Sequence, residues 1–245
     1  MFSLRKLKKA VFLLQKEVWA SALFKGVGAA VEHHSLLESL VLDCVVDVGA
    51  NKGQFSLVVR GVFPQVVIHS FEPLSTPAKI FSKIFRNDSR THLHNCAIGE
   101  YSESVDMHVS KSDDSSSLLP ISERQSSLFP GTEEHHIDTV KISPLRSLVS
   151  DEDIVGTALL KIDVQGFELN VLKGCNPLIK KFKYIYVECS FVELYEGQAL
   201  VSEIVDYLSD SGFVLSGVYN MSYDSDGVAI QGDFLFISGS GEAKV

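Results

Sequence analysis

Five short apolar runs in this sequence each end on residues that could do chemistry. In CVVDVGANKGQFS, Asp47 precedes Gly49, Ala50, Asn51 and Gly53, and Phe55 and Ser56 open a helical pattern. VVIHSFEP ends at Glu72 and Pro73, and THLHNCAI carries Asn95, Cys96 and Ala97 at its end. ALLKIDV ends near Asp163, and YIYVEC near Glu188. Glycines four apart let the backbone approach a ligand at a helix N-terminus. A carboxylate at Asp47 would repel a pyrophosphate and attract a cationic group, and one at Glu72 can accept both hydroxyls of a ribose. The dinucleotide fingerprint would need a third glycine and would put its second where Asn51 stands. An acid for a charged amino-acid moiety and an acid for a ribose together describe S-adenosylmethionine better than a nicotinamide dinucleotide. A tight turn with Asp47 as helix cap is the plain structural alternative.

The fourth run adds a lysine. Lys161 and Asp163, two apart on a strand, face one side, and a lysine inside a central strand has to be paired or near solvent. Gly166 allows a sharp exit from that strand. Glu168 falls in the first turn of the next helix, where an acid favours the dipole, so capping and function explain it equally. Glu188, ending a buried run, is costly without a partner and is a site candidate. No histidine pair has metal-ligand spacing. His135 or His136 as a base is weaker than a surface-strand reading, and His33 and His34 fall in a helical stretch.

These residues need a scaffold that brings strand ends together. Seven strand-like runs, the five above with FVLSGVY and GDFLFIS, alternate with helical patterns in QFSLVVRGVF, TPAKIFSKIFRN, FELNVLKGCNPLIKKF and ALVSEIVDYLSDSG. That alternation predicts an α/β fold with a mostly parallel sheet and helices on both faces, binding ligands beyond the carboxyl ends of its strands. YNMSYDSDG is too short for a crossover helix, so the last strand is expected to be antiparallel. Residues 99–143 break the pattern: SESVDMHVS and EHHIDTVKIS alternate like strands around a polar, serine-rich loop, an extension whose loop could cover an active site.

Length, at 245 residues, suits one large domain, with 45% apolar and 22% charged residues. A net charge of −9 argues against a broad grip on nucleic acid. Cys44, Cys96, Cys175 and Cys189 are widely spaced, which points to a reducing cytoplasm rather than a disulfide framework or a zinc ribbon. No apolar stretch is long enough to span a bilayer. Residues 1–40 form a separate, basic segment, with Leu4, Leu7, Val11, Leu14 and Val18 on one helical stripe. It is expected to pack on the domain or a partner, or to lie on an anionic membrane surface, and its apolar core is too short for an export signal.

In order, DVGANKGQFS, SFEP, NCAIGE, LLKIDVQGFELNVLKG, YVECSF and QGDFLF resemble the FkbM family of S-adenosylmethionine-dependent methyltransferases, over roughly residues 41–237. The resemblance implies a class I methyltransferase (Rossmann-like) fold and methyl transfer to a hydroxyl, often on a sugar or a polyketide-type product. It implies that Asp47, Gly49, Ala50, Asn51, Gly53, Phe55 and Ser56 line the cofactor's methionine side. By the same likeness Glu72 and Pro73 hold the ribose, and Asn95 and Ala97 flank the adenine. An alcohol must lose its proton to become a good nucleophile, so Asp163 or Glu188 is expected to act as base, with Lys161 setting the local charge. A divalent metal held by these acids is left open beside that reading. The expected partner is a small-molecule or glycan hydroxyl acceptor, and self-association stays open. A nicotinamide-dependent oxidoreductase and a catalytically silent cofactor-binding domain are the rival readings.

Overall fold

Runs rich in valine and isoleucine can be dry on both faces only inside a sheet covered from both sides, and the chain places them there. The computed structural model describes residues 13–239; Leu4, Leu7 and Val11 of the N-terminal stripe lie outside them. The main sheet contains β1 (Cys44–Val48), β2 (Val67–Phe71), β3 (Thr91–His94), β7 (Ala158–Ile162), β8 (Phe182–Ser190), β9 (Phe213–Tyr223) and β10 (Ala229–Ser238). Their order is β3-β2-β1-β7-β8-β10-β9. The first five are mutually parallel, and β10 runs antiparallel to both β8 and β9. This is the mostly parallel sheet with a reversed last strand that the alternation of elements predicts, and it agrees with the class I methyltransferase fold that the resemblance implies. The order also changes direction at β1, so the crevice for a ligand opens between the loops that follow β1, β2 and β7.

Helices cover both faces. One core joins Val46, Val48, Leu160, Ile162 and Val187 of the strands to Val171, Leu172, Ile204 and Leu208 of α6 (Glu168–Gly174) and α7 (Val201–Asp210). The other joins Val45, Ile68 and Leu159 to Leu57, Val58 and Phe81 of α3 (Gln54–Val62) and α4 (Ser75–Phe85). The pattern read as one helix through residue 182 stops at Gly174, because Pro177 cannot donate to a continuing helix, and a short 3-10 turn, Leu178–Lys181, follows. The third predicted strand also divides. After β3 the chain turns at Asn95, and β4 (Ala97–Ile98) leaves the main sheet to pair with β6 (Glu134–Ser143). β6 in turn pairs antiparallel with β5 (Glu103–Ser110), and the segment between them holds the short helix α5 (Glu123–Leu128), capped by Ser122.

The described part of the N-terminal segment packs on the domain. α1 (Glu17–Phe24) lays Trp19 against α3, fully buried, with its indole Nε1 donating to the Leu57 carbonyl at 2.7 Å. Gly61 makes the contact possible: any Cβ there would strike the indole ring. The expected stripe does not hold across this stretch, since Leu14 is 56% exposed while Leu13 is 3% exposed. The chain turns before α1, whose N-cap Lys16 is extended, so one 3.6-residue period cannot run through both parts. A second short helix, α2 (His34–Glu38), follows before β1. All four cysteines are free and buried.

Trp19→Ala is expected to lower unfolding stability by about 3–5 kcal/mol, the cost of a cavity where a large buried ring was removed. Urea denaturation of the two proteins measures it, and a loss below about 1 kcal/mol would show that α1 is not part of the core.

Candidate functional site

The site starts from one row of residues across the sheet. Ser70, Asp47, Lys161 and Tyr186 stand opposite one another on β2, β1, β7 and β8. All four are buried. The Ser56 hydroxyl donates to Asp47 Oδ2 at 2.7 Å and meets Ser70 Oγ at 2.9 Å, tying the start of α3 to the ends of two strands. Lys161 Nζ lies 3.5 Å from Asp47 Oδ1 and 3.3 Å from Asp163 Oδ2, and 5.5 Å from the centre of the Phe55 ring. Burial works against charge on this lysine, but Asp163 and Asp47 outweigh it and hold its pKa above the ordinary lysine value. Lys161 is therefore a permanent cation beneath the strand ends.

Above this row lies a cleft of about 280 Å³. Gly49, Ala50, Asn51 and Phe55 line it, as do Glu72, Pro73, Ala97, Lys161 and Asp163. Asp47, Gly53, Ser56, Asn95 and Glu188 are not on its surface. Asp47 and Ser56 lie below it in the polar row. Gly53, at φ +91, takes a conformation unfavourable to other residues and leaves room for Phe81 and Phe85. Gly49, at φ +83, has no space for a Cβ because the Asp163 carbonyl stands there, so it packs strand end on strand end. Asn95 Nδ2 donates to the carbonyls of Glu72 at 2.8 Å and Pro73 at 2.9 Å, fixing the loop that presents Glu72.

Glu72 receives the Asn51 amide on Oε2 at 2.9 Å and the Leu74 amide on Oε1 at 2.7 Å. Burial nevertheless pushes its pKa up to about 7. Asn51 Oδ1 is buried in the cleft wall without a donor among the described residues, an acceptor that calls for one from a ligand. Asp163 is 38% exposed at its side chain and accepts from Gln165 Nε2 at 2.8 Å. Burial raises its pKa, but Lys161 and the Gln165 hydrogen bond prevail and hold the carboxyl below the usual range. An anion at Asp163, an acceptor pair at Glu72 and an orphaned oxygen at Asn51 match the ammonium and hydroxyl donors of S-adenosylmethionine. The expected cofactor therefore fits the residues present.

Gln165, which carries no signal of its own in the KIDVQGFE stretch, ties this end of the cleft together. Held at φ +56, its Nε2 also donates to Glu188 Oε2 at 2.8 Å, and its Oε1 accepts from Tyr195 Oη at 2.8 Å. Glu188 takes a second amide, from Gln231, on Oε1 at 2.9 Å. Burial, then the neighbouring Asp163 and Asp233, push Glu188 well above the usual carboxylate range. Glu168 Oε1 accepts the amides of Gly166 at 2.9 Å and Val164 at 3.3 Å, shaping the strand exit, and burial brings its pKa to about 7. The loop between β5 and β6 closes the remaining side. Asp113, Asp114, Ser116 and Leu118 line the cleft, and Lys52 Nζ reaches Asp113 Oδ2 at 2.8 Å. The Ser117 hydroxyl donates to the Gln165 carbonyl, and Tyr195 Oη lies 3.2 Å from the Ser115 carbonyl.

A divalent metal fits less well. Gln165 puts an NH₂ donor between the two carboxylates that were to hold it, and a cation cannot share that position. Among the described residues no group of three or more His, Cys, Asp or Glu side chains is placed to bind a metal ion. No helix among them is long and apolar enough to cross a membrane. His135 and His136 are exposed on β6 and do not line the cleft. His33 does line it, through a segment with no readable motif.

The profile of the Methyltransferase FkbM domain matches residues 47–215. Among curated relatives, the 2-O-methyltransferase NoeI of Sinorhizobium fredii (strain NBRC 101917 / NGR234) is 26% identical over 170 residues, covering 67% of this chain and 70% of that protein. Methyltransferase 1 of Beauveria bassiana (strain ARSEF 2860) is 27% identical over 144 residues, covering 53% of this chain and 57% of that protein. Among solved structures, the precorrin-6y C5,15-methyltransferase of Geobacter metallireducens GS-15 superposes with a TM-score of 0.47 at 9% identity, covering 85% of this chain and 88% of that one.

The raised pKa of Glu168 makes a signed prediction. A carboxyl whose folded pKa of about 7 exceeds its ordinary value of 4.5 contributes stability below the lower value, and that contribution is lost as pH rises through the upper one. Glu168→Gln keeps the acceptor and removes the titration. Its unfolding free energy relative to the parent is expected to rise between about pH 5 and about pH 8. Denaturant titrations across that range check it, and a constant difference would show that Glu168 is not desolvated.

Proposed function

The chain belongs to the FkbM methyltransferase family, and from that premise we propose that it transfers a methyl group from S-adenosylmethionine to a hydroxyl of a sugar, in a glycan or a glycosylated natural product. The observation that carries the cofactor side is the pairing of Glu72, a hydroxyl acceptor, with the ionised Asp163 two strands away in one cleft. Glu72 and Pro73, fixed by Asn95, would hold the ribose, with Ala97, Ile98 and Leu118 around the base. Asn51 Oδ1 and Asp163 would receive the ammonium, and Gly49, Ala50 and Phe55 would border the methionine chain. Asp47 and Ser56 would act from below, by holding Lys161 and the start of α3.

S-adenosylmethionine, when bound, supplies a methyl group already activated by its sulfonium charge. The chain's own tasks are to align an acceptor oxygen with it and to remove that oxygen's proton. Lys161 serves by keeping Asp163 ionised, so the cleft stays negative where the cofactor is positive. The loop between β5 and β6 excludes water on one side, and its Ser116 and Asp114 give a hydroxyl-rich acceptor hydrogen-bonding partners. A hydroxyl acceptor is also what the name of the relative NoeI states for that protein. The protein's net charge of −9 favours a neutral acceptor over nucleic acid.

Incubation with methyl-labelled S-adenosylmethionine and a panel of methyl hexosides is expected to give an O-methyl ether, located by mass spectrometry and NMR. A product methylated only on nitrogen or carbon, from any acceptor, would contradict the proposal. Glu72→Gln is expected to raise KM for the cofactor about 10–100-fold, the loss of hydrogen bonds to a charged acceptor, while leaving KM for the acceptor unchanged.

A further inference from the structure

One ionisable ring on the cleft surface has no part in holding the cofactor. His33 lies in the 3-10 turn Val31–His33 before the first strand. Ala29, Ala30, Glu32 and His33 line the cleft, and the Ala30 amide donates to the Gln54 carbonyl at 2.9 Å, fastening this segment to the start of α3. The imidazole stands edge-on to Phe55 at 5.3 Å and to Tyr186 at 5.5 Å. Behind it, contributed by three further strands, are Tyr186 of β8, Asp233 of β10 and Asn220 of β9.

We propose that His33 is the general base that takes the acceptor's proton, held in its working tautomer by a relay through Tyr186 to Asp233. This rests on reading the cleft as a methyl-transfer site. His33 Nδ1 lies 3.0 Å from Tyr186 Oη, which lies 3.1 Å from Asp233 Oδ2. With Nδ1–H donating to Tyr186 and Tyr186 donating to Asp233, the Nε2 lone pair is left to accept. Nε2 has no hydrogen-bond partner among the described residues. Asn220 Nδ2, 3.2 Å from Nδ1, directs its two hydrogens to Asp233 at 2.8 Å and Tyr186 at 3.3 Å. Every donor in the cluster then has an acceptor, and both acceptor positions on Tyr186 are used.

The order of the strands places this ring on the acceptor side. Glu72 follows β2, the glycine loop follows β1, and Asp163 follows β7. His33 sits beyond them, over the strands that carry Tyr186, Asp233 and Asn220. A cofactor with its ribose at Glu72 and its ammonium near Asp163 presents its far side to His33. In the step, the O–H bond breaks with its proton passing to Nε2. The oxygen forms a bond to the methyl carbon, and the carbon–sulfur pair stays on sulfur, leaving a neutral thioether and an imidazolium. The imidazolium charge is then met by Asp233 through Tyr186.

The acids first expected to do this are less suited. Asp163 is tied to Lys161 and Gln165, which stabilise its charged form and weaken it as a proton acceptor. Glu188 is off the cleft surface, with both oxygens taken by glutamine amides. The charged groups that face His33 are Asp233, Lys161, Glu32 and Asp163. Burial lowers its pKa most, with Asp233 opposing, so the ring is neutral and able to accept at physiological pH.

The test compares two ligands that differ in charge at the reacting centre. S-adenosylmethionine carries the sulfonium and S-adenosylhomocysteine does not, so only the former is repelled by a nearby imidazolium. In the parent protein, affinity for S-adenosylmethionine relative to S-adenosylhomocysteine is expected to fall about fivefold as the pH is lowered through the range in which nitrogen-15 NMR shows His33 gaining its second proton. In His33→Asn the ratio is expected to stay flat, with S-adenosylhomocysteine binding within about twofold of the parent. Titration of Glu72 affects both ligands alike and cancels in the ratio. Nitrogen-15 NMR of the imidazole is expected to show Nδ1 protonated and Nε2 bare at about pH 8. A flat ratio in the parent, an Nε2–H tautomer, or a tenfold loss of S-adenosylhomocysteine affinity in His33→Asn would each overturn the assignment. Failure of the parent to bind S-adenosylhomocysteine at any pH would instead overturn the reading of the cleft, and this proposal with it.

Discussion

A lysine ammonium buried in the middle of a parallel sheet can exist only among anions, and the placement of Lys161 organises everything above it. Desolvating a charge costs several kcal/mol unless partners compensate, and removing one partner of such a pair costs about 3–5 kcal/mol. Asp47 is the compensating anion on the neighbouring strand, directly opposite in register. Because Asp47 is also the acceptor for Ser56, the ion pair fixes the start of α3 and hence the glycine loop between them. Because Lys161 reaches up to Asp163 as well, it keeps a carboxylate ionised at the cleft floor. One pair thus sets both the shape of the loop and the sign of the field.

A second layer of order comes from Gln165. Its amide bridges Asp163 and Glu188, its side-chain oxygen is held by Tyr195, and its backbone carbonyl accepts from Ser117. The loop inserted between β5 and β6 is thereby clipped to the end of β7 rather than left to solvent. The charge on Asp163, the hydrogen bonding of Glu188 and the position of the covering loop consequently depend on one residue. The cofactor's complement and the acceptor's wall are built from the same contacts.

Much of this was legible from residue types. Period-two and apolar runs place all seven strands of the main sheet, and the short YNMSYDSDG link correctly implies the antiparallel end. The strand-end rule finds Glu72 and Asp163, because an open parallel sheet offers its crevice at those positions whatever the loops do. It cannot separate acids that face the cleft from acids that face the sheet. Asp47 points into the polar row because Ser56 and Lys161 stand on that side, and Glu188 lies inside β8, which continues to Ser190, one strand beyond the end that carries Asp163. Asn95 reads as a ligand contact but turns inward, since its amide finds two carbonyls of the preceding loop. His33 leaves no sequence signal: its segment has no period, and its partners Tyr186, Asn220 and Asp233 come from strands far along the chain. Gly49 and Gly53 read as places where a ligand approaches the backbone, yet protein fills the space a Cβ would need, the Asp163 carbonyl at Gly49 and the Phe81 and Phe85 rings at Gly53.

The central claim is that an acid at each of two strand ends makes this cleft a site for S-adenosylmethionine rather than for a dinucleotide. Calorimetric titration of the purified protein with S-adenosylhomocysteine, in parallel with NAD, tests it directly. The account predicts one-to-one binding of S-adenosylhomocysteine and no detectable heat from NAD. Binding of NAD in preference, or of neither, would contradict it.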